Sequence, residues 1–259
     1  GIESYNEIED ALLHIKPDLI ILAVPTSFQL EAIRRIAKCF IPKTILCEKP
    51  MGDNLDQGIE IVSICRKKEI SLYVNYVRRC LPGSKEIKKR IDNGLINAPI
   101  KCVFWYSKGL RHNGSHFINL MEYWFGKCLD SQIINKGRNF QSFGFEPYAY
   151  IKFHNCEVSI IPAWEEFYSH YTIEIISSSG RLYWSQDNLE WTKVIRSENF
   201  KGYSFLANES EKIFTGAEKY QMHAADELYL AMTDQFSSIC NGEQALETLH
   251  SIDSILLMD

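Results

Sequence analysis

Lys49 is the side chain in this sequence that is best placed to take part in a chemical reaction. The run Glu48-Lys49-Pro50-Met51 follows the apolar segment 44–47 and precedes a helical pattern. Open α/β sheets bind ligands outside the carboxyl ends of their strands, and a proline biases the residue before it to extended geometry. An ammonium group there can hold a substrate hydroxyl and favour its deprotonation. The alternative is a solvated lysine at an ordinary strand–helix turn.

Polar residues also follow the two neighbouring apolar runs. Pro25-Thr26-Ser27 follows residues 19–24, and Asn75-Tyr76-Val77-Arg78-Arg79 follows residues 71–74. Because successive parallel strands end at the same edge of a sheet, we expect these groups to converge. The Pro-Thr turn is suited to lie against a cofactor ribose or ring, and the two arginines to clamp an anionic substrate. The alternatives are an ordinary turn and a pair of surface arginines.

His116 is the second candidate for proton transfer. The segment 108–119 follows a predicted strand and opens a helix, with Asn113 or Ser115 as the expected N-cap. His116 would then lie in the first turn, where the helix dipole lowers the pKa of an imidazole and leaves it a usable base near pH 7. The alternative is a helix-start histidine bonded to a backbone carbonyl. His112 is a weaker candidate in the same segment.

The elements that position these residues divide into two predicted domains. Helical patterns at 6–15, 28–39 and 55–68 alternate with strands at 19–24, 44–48 and 71–74. This alternation predicts a parallel, Rossmann-like sheet with right-handed crossovers over residues 1–77. Strand 19–24 is apolar without alternation, which predicts burial on both of its faces. Asp53 or Asn54 is expected to cap the third helix.

Residues 78–259 predict an α+β domain with a large, open, mostly antiparallel sheet. Turn signals separate β-branched and aromatic runs over 131–207. The tryptophans of these runs are expected in the sheet core, except Trp164, which follows Pro162 and is a candidate sugar contact. The other expected elements are helices at 83–93, 115–125, 219–240 and 243–258 and a strand at 100–107.

Composition excludes several classes of protein. The 259 residues carry a net charge of −5, which gives no electrostatic footprint for nucleic acid. No apolar run approaches the roughly 18 residues of a spanning helix, so we expect no membrane partner. The eight cysteines include no C-x-x-C pair. We therefore expect free thiols, a reducing cytoplasmic compartment and no metal site.

The four segments, in this order, resemble the glucose–fructose oxidoreductase / inositol dehydrogenase / MocA (Gfo/Idh/MocA) family. That family has a strand followed by Pro-Thr or Pro-Asn, a strand ending in Glu-Lys-Pro, an Asn-x-x-Arg segment and a Gly-x-His-x-x-Asp helix start. The matching residues here are Pro25-Thr26, Glu48-Lys49-Pro50, Asn75 with Arg78-Arg79, and Gly114-Ser115-His116 with Phe117-Ile118-Asn119. Residues 242–246 also look like the family's last helix, so the resemblance covers nearly the whole chain.

The resemblance implies an NAD- or NADP-dependent oxidoreductase that acts on a sugar, polyol or nucleotide sugar. Lys49 would orient the reacting hydroxyl, and His116 would move its proton. The residues of these motifs look most like those of members that act in surface-polysaccharide synthesis. By analogy with the family, the C-terminal sheet would be a homo-oligomer surface. The implied cofactor contacts are Pro25, Thr26, Gln29, Glu48, Lys49, Pro50 and Asn75, and the implied substrate contacts are Tyr76, Arg79, His112, Asn113 and Trp164.

Several features depart from the family's pattern. Gln29 stands where the family usually has His, Asn119 where it usually has Asp, and His112 where many members have Asp. The sequence contains no Gly-x-Gly-x-x-Gly loop, the element that binds a dinucleotide pyrophosphate. We therefore expect an excerpt of a longer polypeptide, or a second subunit that covers strand 19–24. The alternative to an enzyme is a truncated homologue that acts as a subunit or a sugar-binding module.

Overall fold

The computed structural model of this protein describes residues 3–257. The chain forms two compact units, one of residues 3–76 and 225–253 and the other of residues 77–224 and 254–257. This grouping differs from the predicted division into 1–77 and 78–259. The difference arises because the short strand Cys240–Asn241 pairs with a strand of the first unit, and Ala245 and Leu249 are buried in the same core.

The first unit alternates helices and strands in the predicted order. Its strands are parallel neighbours in the order β1-β2-β3, and Cys240–Asn241 adds antiparallel to β3. The predicted parallel sheet with alternating helices is therefore confirmed. The elements are α1 (Ile8–Ile15), β1 (Leu19–Leu22), α2 (Thr26–Cys39), β2 (Thr44–Cys47), α3 (Leu55–Lys67) and β3 (Ser71–Val74).

The burial of β1 differs from the prediction. Its unbroken apolar sequence predicts burial on both faces, yet Ile21 is 61% exposed and Leu22 alone in the strand is buried. Within residues 3–257, β1 pairs with β2 only, so it forms an edge of the sheet. By contrast, β2 lies between two strands and is buried at all four positions. Two-sided burial is therefore wrong for β1 and holds for β2.

The start of α3 agrees with one of the two predicted caps. The backbone N–H of Gln57 donates to Oδ1 of Asn54 at 3.0 Å. Asn54 is in extended geometry, so its side chain satisfies one of the amide groups that a helix start leaves without a partner. This cap fixes where the loop after β2 ends and α3 begins.

The second unit is built on a nine-stranded sheet in the order β11-β10-β9-β8-β4-β7-β6-β5, with β12 beside β10. Among the described strand pairs of this second sheet, only β4 and β7 are parallel. The prediction of a large, open, mostly antiparallel sheet is confirmed. The strands are β4 (Ile100–Tyr106), β5 (Asp130–Asn139), β6 (Phe145–Lys152), β7 (Cys156–Pro162), β8 (Thr172–Ser177), β9 (Gly180–Ser185), β10 (Asn188–Arg196), β11 (Ser204–Leu206) and β12 (Glu211–Lys212).

The helices of the second unit pack on this sheet. They are α4 (Pro82–Asp92) and α5 (Ser115–Phe125). The fully buried rings of Phe104 on β4 and Phe117 on α5 stack with their centroids 5.4 Å apart. This contact joins α5, which carries His116, to the centre of the sheet.

Two helices follow the sheet, α6 (Tyr220–Met232) and α7 (Gly242–Leu256), with the strand β13 (Cys240–Asn241) between them. The predicted helix 219–240 is therefore too long. The chain leaves the helix at Asp234, whose φ is +55°, and the backbone N–H of Gln235 donates to the carbonyl of Leu230 at 2.9 Å. Across residues 3–257, no helix combines the length and the apolar character needed to cross a membrane.

Candidate functional site

The three parallel strands of the first unit end at one edge. Leu22 is in register with Cys47, and Cys47 with Val74. The backbone N–H of Glu48 donates to the carbonyl of Leu22 at 3.2 Å, and that of Asn75 to the carbonyl of Cys47 at 2.8 Å. The polar segments after the three strands therefore begin side by side, as the sequence predicts.

Gln29 holds the loop that carries Lys49. Its side chain is fully buried on α2. Its Nε2 donates to the carbonyl of Glu48 at 2.8 Å, and its Oε1 accepts from the backbone N–H of Gly52 at 2.7 Å. Both ends of the amide are thus engaged by the loop, so Gln29 positions the loop rather than presenting a polar group to a ligand. The Lys49–Pro50 peptide bond inside this loop is cis.

The carboxylate of Glu48 is held by the next strand end. Nδ2 of Asn75 donates to Oε1 of Glu48 at 2.8 Å. Asn75 is 6% exposed, while Glu48 and Lys49 are partly buried. The loop backbone around Lys49 is therefore held by Gln29 of α2. The side chain of Glu48, the residue before Lys49, is held by Asn75, which follows β3.

The turn after β1 contacts the same loop region. The hydroxyl of Thr26 donates to Oδ1 of Asp53, and Pro25 is exposed at the start of α2. Tyr76, the last residue of the first stretch of this unit, is 2% exposed. All seven predicted cofactor contacts therefore lie at or beside one edge of the sheet.

In the second unit, the segment between β4 and α5 is a π-helical turn over Gly109–Gly114. Lys108 and Gly109 both have left-handed backbone geometry, with φ of +68° and +77°. His112 and Asn113 face each other, with Nδ1 and Oδ1 3.1 Å apart. The two predicted substrate contacts are therefore neighbours within the turn.

The predicted N-cap of α5 is wrong. Gly114 is the residue before the helix, it is itself helical, and no side chain caps it. The hydroxyl of Ser115 instead donates back to the carbonyl of His112 at 2.8 Å. Because the π-helical turn runs directly into α5, the partly buried His116 is not at a free helix start. The dipole argument for a lowered His116 pKa therefore loses its basis.

Glu146 anchors the turn, and sequence reasoning missed it. Its carboxylate is 1% exposed. Its Oε1 accepts from the backbone N–H groups of Lys108 at 2.8 Å and Gly109 at 3.1 Å, and its Oε2 accepts from Nε of Arg138 at 2.9 Å. Arg138 also pairs with Glu166 on the chain segment between β7 and β8. A single acidic residue in a strand-like run gives no signal of such a role in the sequence.

Arg78 and Arg79 lie on a 3₁₀ turn (Val77–Cys80) of the second unit. The guanidinium of Arg78 lies 4.7 Å from the ring centroid of Phe117 and 4.3 Å from that of Tyr171. Burial lowers the pKa of Arg78, an effect that the nearby Tyr171 hydroxyl opposes. Arg79 is 4% exposed, and its guanidinium lies 4.6 Å from the ring centroid of Tyr123.

Trp164 is 62% exposed, which fits the prediction that it is not part of the sheet core. The adjoining Glu165 accepts from the hydroxyl of Ser107 at 2.5 Å. The loop that carries Trp164 is thereby attached to Ser107, two residues before the π-helical turn. Within residues 3–257, no group of three or more His, Cys, Asp or Glu side chains is arranged to hold a metal ion.

The predicted site residues thus form two groups. The first unit contains the cofactor candidates and Lys49, and the second contains Arg79, His112, Asn113, His116 and Trp164. Open α/β folds, dinucleotide-binding folds among them, bind their ligands outside the carboxyl ends of parallel strands, where the polar groups of the first unit lie.

Comparison with known proteins agrees with this class. Residues 1–76 match the model of the Gfo/Idh/MocA oxidoreductase family, described as having an NAD-binding Rossmann fold. Residues 1–76 are thus similar to this family, and they are the part of the chain that the family model matches.

Individual relatives match different shares of the chain. The uncharacterized oxidoreductase YrbE of Bacillus subtilis is 37% identical over 94 residues, which are 36% of this chain and 27% of YrbE. D-xylose 1-dehydrogenase [NADP(+)] of Haloarcula marismortui is 27% identical over 97 residues, 38% of this chain and 26% of the relative. The chain thus matches about a quarter of the length of these two relatives.

A solved structure extends the similarity in fold. The oxidoreductase TM0312 of Thermotoga maritima superposes with a TM-score of 0.75 and 18% identity, over 97% of this chain and 79% of that one. At this identity the similarity establishes the fold alone.

Proposed function

We propose that this protein takes part in the NAD(P)-dependent oxidation or reduction of a hydroxyl or ketone on a sugar, polyol or nucleotide sugar. The observation that carries the proposal is the fixed loop of Lys49 at the shared strand edge of a family-matched sheet. The name of the xylose dehydrogenase relative supports a sugar substrate.

The edge of the first unit fits part of a nicotinamide dinucleotide. Thr26, Lys49 and Asn75 bring a hydroxyl, an ammonium and an amide to one edge. The ammonium and the second amide hydrogen of Asn75 can donate to ribose hydroxyls or a carboxamide, and the Thr26 oxygen, whose hydrogen is donated to Asp53, can accept. The 259 residues contain no Gly-x-Gly-x-x-Gly to hold the pyrophosphate. We therefore expect this chain alone to bind the dinucleotide weakly. A bound nicotinamide would supply or accept the hydride ion.

The chain's own residues would handle the proton. Lys49 would donate a hydrogen bond to the reacting oxygen and stabilise negative charge as it develops there. His116 of the second unit would accept the hydroxyl proton during oxidation and return it during reduction. Glu146 would act as a positioning residue, because it fixes the turn that leads into α5.

Substrate contacts would come from the second unit and from Tyr76. His112 and Asn113 present polar groups from one turn, Trp164 presents an exposed ring, and Arg79 presents a guanidinium. A sugar offers hydroxyls to the polar groups and an apolar face to the ring. The set is therefore suited to a polyhydroxylated substrate.

The exposed face of the nine-stranded sheet would be a homo-oligomer surface. Trp105 on β4, Ile176 on β8 and Leu206 on β11 share this face and are 38%, 46% and 40% exposed. Apolar residues gathered on one face mark protein interfaces. Light scattering should give more than one copy per particle, and Ile176→Lys should reduce it. A monomeric wild-type protein would contradict this assignment.

A reducing compartment, such as the cytoplasm, is proposed for the protein. None of the eight cysteines forms a disulfide within residues 3–257, and six of them are buried: Cys47, Cys65, Cys80, Cys102, Cys156 and Cys240. Buried thiols without disulfides are typical of proteins kept reduced.

A non-catalytic role is the second candidate function. Its support is that Asn119 and His112 occupy positions where the family has carboxylates. In that role, the protein would bind a sugar or another subunit and would not transfer hydride.

Variants of Lys49 separate the two functions. NAD(P)H oxidation would be followed at saturating cofactor with keto-sugar substrates, for wild type, Lys49→Met and Lys43→Met. Lys43 is exposed and pairs with Asp18 at 3.0 Å, so it is a matched surface control. We expect a loss of about 10²–10⁴-fold for Lys49→Met only. Equal rates in the three proteins would refute the catalytic role of Lys49.

A further inference from the structure

Two neighbouring arginines in the second unit lie against aromatic rings without an acidic partner. Within residues 3–257, neither Arg78 nor Arg79 forms an ion pair with a carboxylate. Nε of Arg79 is buried and has no hydrogen-bond partner among the described residues. The structure thus places two positive charges on consecutive residues of the turn Val77–Cys80, and neither has an acidic partner within residues 3–257.

The contrast with Arg90 makes this arrangement unusual within the same chain. Arg90 is 8% exposed, comparable with the 4% of Arg79. It donates to Glu86 at 2.8 Å and to both carboxylate oxygens of Glu211, at 2.9 and 2.6 Å. The buried guanidinium of Arg90, which joins α4 to β12, is therefore neutralised by carboxylates, whereas among the described residues that of Arg79 is not.

The aromatic rings fix the guanidinium groups but do not neutralise them. Phe117 and Tyr171 lie near Arg78, and Tyr123 lies near Arg79. Aromatic faces attract a cation and restrain its orientation, yet a buried charge without a counter-charge remains costly. A restrained, planar set of donors is well suited to bind a carboxylate or phosphate through two parallel hydrogen bonds.

We propose that Arg78 and Arg79 form a binding site for an anionic group, a carboxylate or a phosphate, on the substrate. This inference rests on the proposed function, which it narrows to acidic or phosphorylated sugars, including nucleotide sugars. Arg79 supplies the unpaired buried donor, and Arg78 supplies a second charge held between two rings. Neutral sugars leave both charges unbalanced and bind more weakly.

Binding of small probes to the full chain tests the site without turnover or cofactor. Calorimetry would compare glucuronate, glucose 6-phosphate, inorganic phosphate and glucose. We expect a charged sugar to bind and glucose to bind at least about tenfold more weakly, because a hydrogen bond to a charged group changes affinity by about one to two orders of magnitude. Glucuronate binding alone identifies a carboxylate, and binding of the phosphate probes identifies a phosphate.

Arginine variants localise the binding. Arg79→Gln and Arg78→Gln should each weaken the charged probe about tenfold to a hundredfold. Arg34→Gln is the control, because Arg34 is a surface residue of α2 that pairs with Glu60. Unliganded Arg79→Gln should unfold at no lower denaturant concentration than wild type, since it removes an unbalanced charge. A purely structural arginine would instead lower the stability of the unliganded protein.

The inference is overturned if no charged probe binds better than glucose, or if Arg79→Gln binds the charged probe as tightly as wild type does. It is also overturned if a charged sugar is turned over equally well by wild type and Arg79→Gln, a result that leaves the proposed function intact. If charged probes bind through the arginines but no hydride transfer occurs, the anion site stands and the oxidoreductase proposal fails.

Discussion

Replacing Gln29 with methionine is a direct test of how the Lys49 loop is held. Gln29→Met keeps the size of a fully buried side chain and removes its donor and its acceptor. The carbonyl of Glu48 and the N–H of Gly52 then lose partners at 2.8 and 2.7 Å. Each buried backbone group without a partner costs about 1–3 kcal/mol, so we expect a loss of about 2–6 kcal/mol in the free energy of unfolding.

Gln57→Met is the matched control for this prediction. Oε1 of Gln57 also accepts from a backbone N–H of the loop, that of Asp53 at 3.0 Å, but the contact is exposed to solvent. Water replaces the lost partner there, so the expected loss is about 1 kcal/mol or less. Urea unfolding followed by circular dichroism measures both values, and hydrogen exchange at Gly52 should accelerate in Gln29→Met alone. Equal losses in the two variants would refute the reasoning.

Three further predictions concern charge, backbone geometry and thiol reactivity. Hydrogen bonds from Arg138 lower the pKa of Glu166 to about 2, so any stability from the pair is present above pH 4.5 and is lost as the pH falls towards 2. In Arg138→Gln, an NMR titration should place the pKa of Glu166 near 4.5, and an unchanged value would contradict the assignment. Gly109→Ala should destabilise by about 2–4 kcal/mol and Gly94→Ala by about 1 kcal/mol, because both have positive φ but an added Cβ meets a carbonyl oxygen only at Gly109. Similar losses of unfolding free energy for the two would refute the contact. Burial raises the pKa of the Cys47 thiol to about 12, so iodoacetamide at pH 8 should modify it at least about a thousandfold more slowly than in unfolded protein. Fast labelling in the native state would contradict its burial.

The sequence predicts the first unit well because local patterns there agree with the global fold. Apolar strands, helical periods and the Asn54 cap all favour the same βα alternation. The burial of β1, in contrast, could not be predicted from its sequence. A continuous apolar run signals that a strand is suited to two-sided cover, but it does not determine whether neighbours are present on both sides.

The positioning roles of Gln29 and Glu146, which the sequence did not predict, depend on contacts distant in sequence. Gln29 and Gly52 are 23 residues apart, and Glu146 and Lys108 are 38 apart. A buried amide or carboxylate that serves another segment's backbone has no periodicity or spacing of its own. The N-cap of α5 was predicted wrongly for a related reason. The π-helical turn Gly109–Gly114 supplies helical geometry before Ser115, and no residue type marks such turns in a sequence.

Transfer of deuterium from labelled NAD(P)H to a keto sugar is the most direct measurement of the central proposal. The protein would be incubated with cofactor deuterated at the transferring position, and the reduced sugar would be analysed by mass spectrometry. The account predicts deuterium in the product with wild type and a rate about 10²–10⁴-fold lower in both Lys49→Met and His116→Asn. Absence of deuterium with wild type at saturating cofactor, or an undiminished rate in both variants, would contradict it.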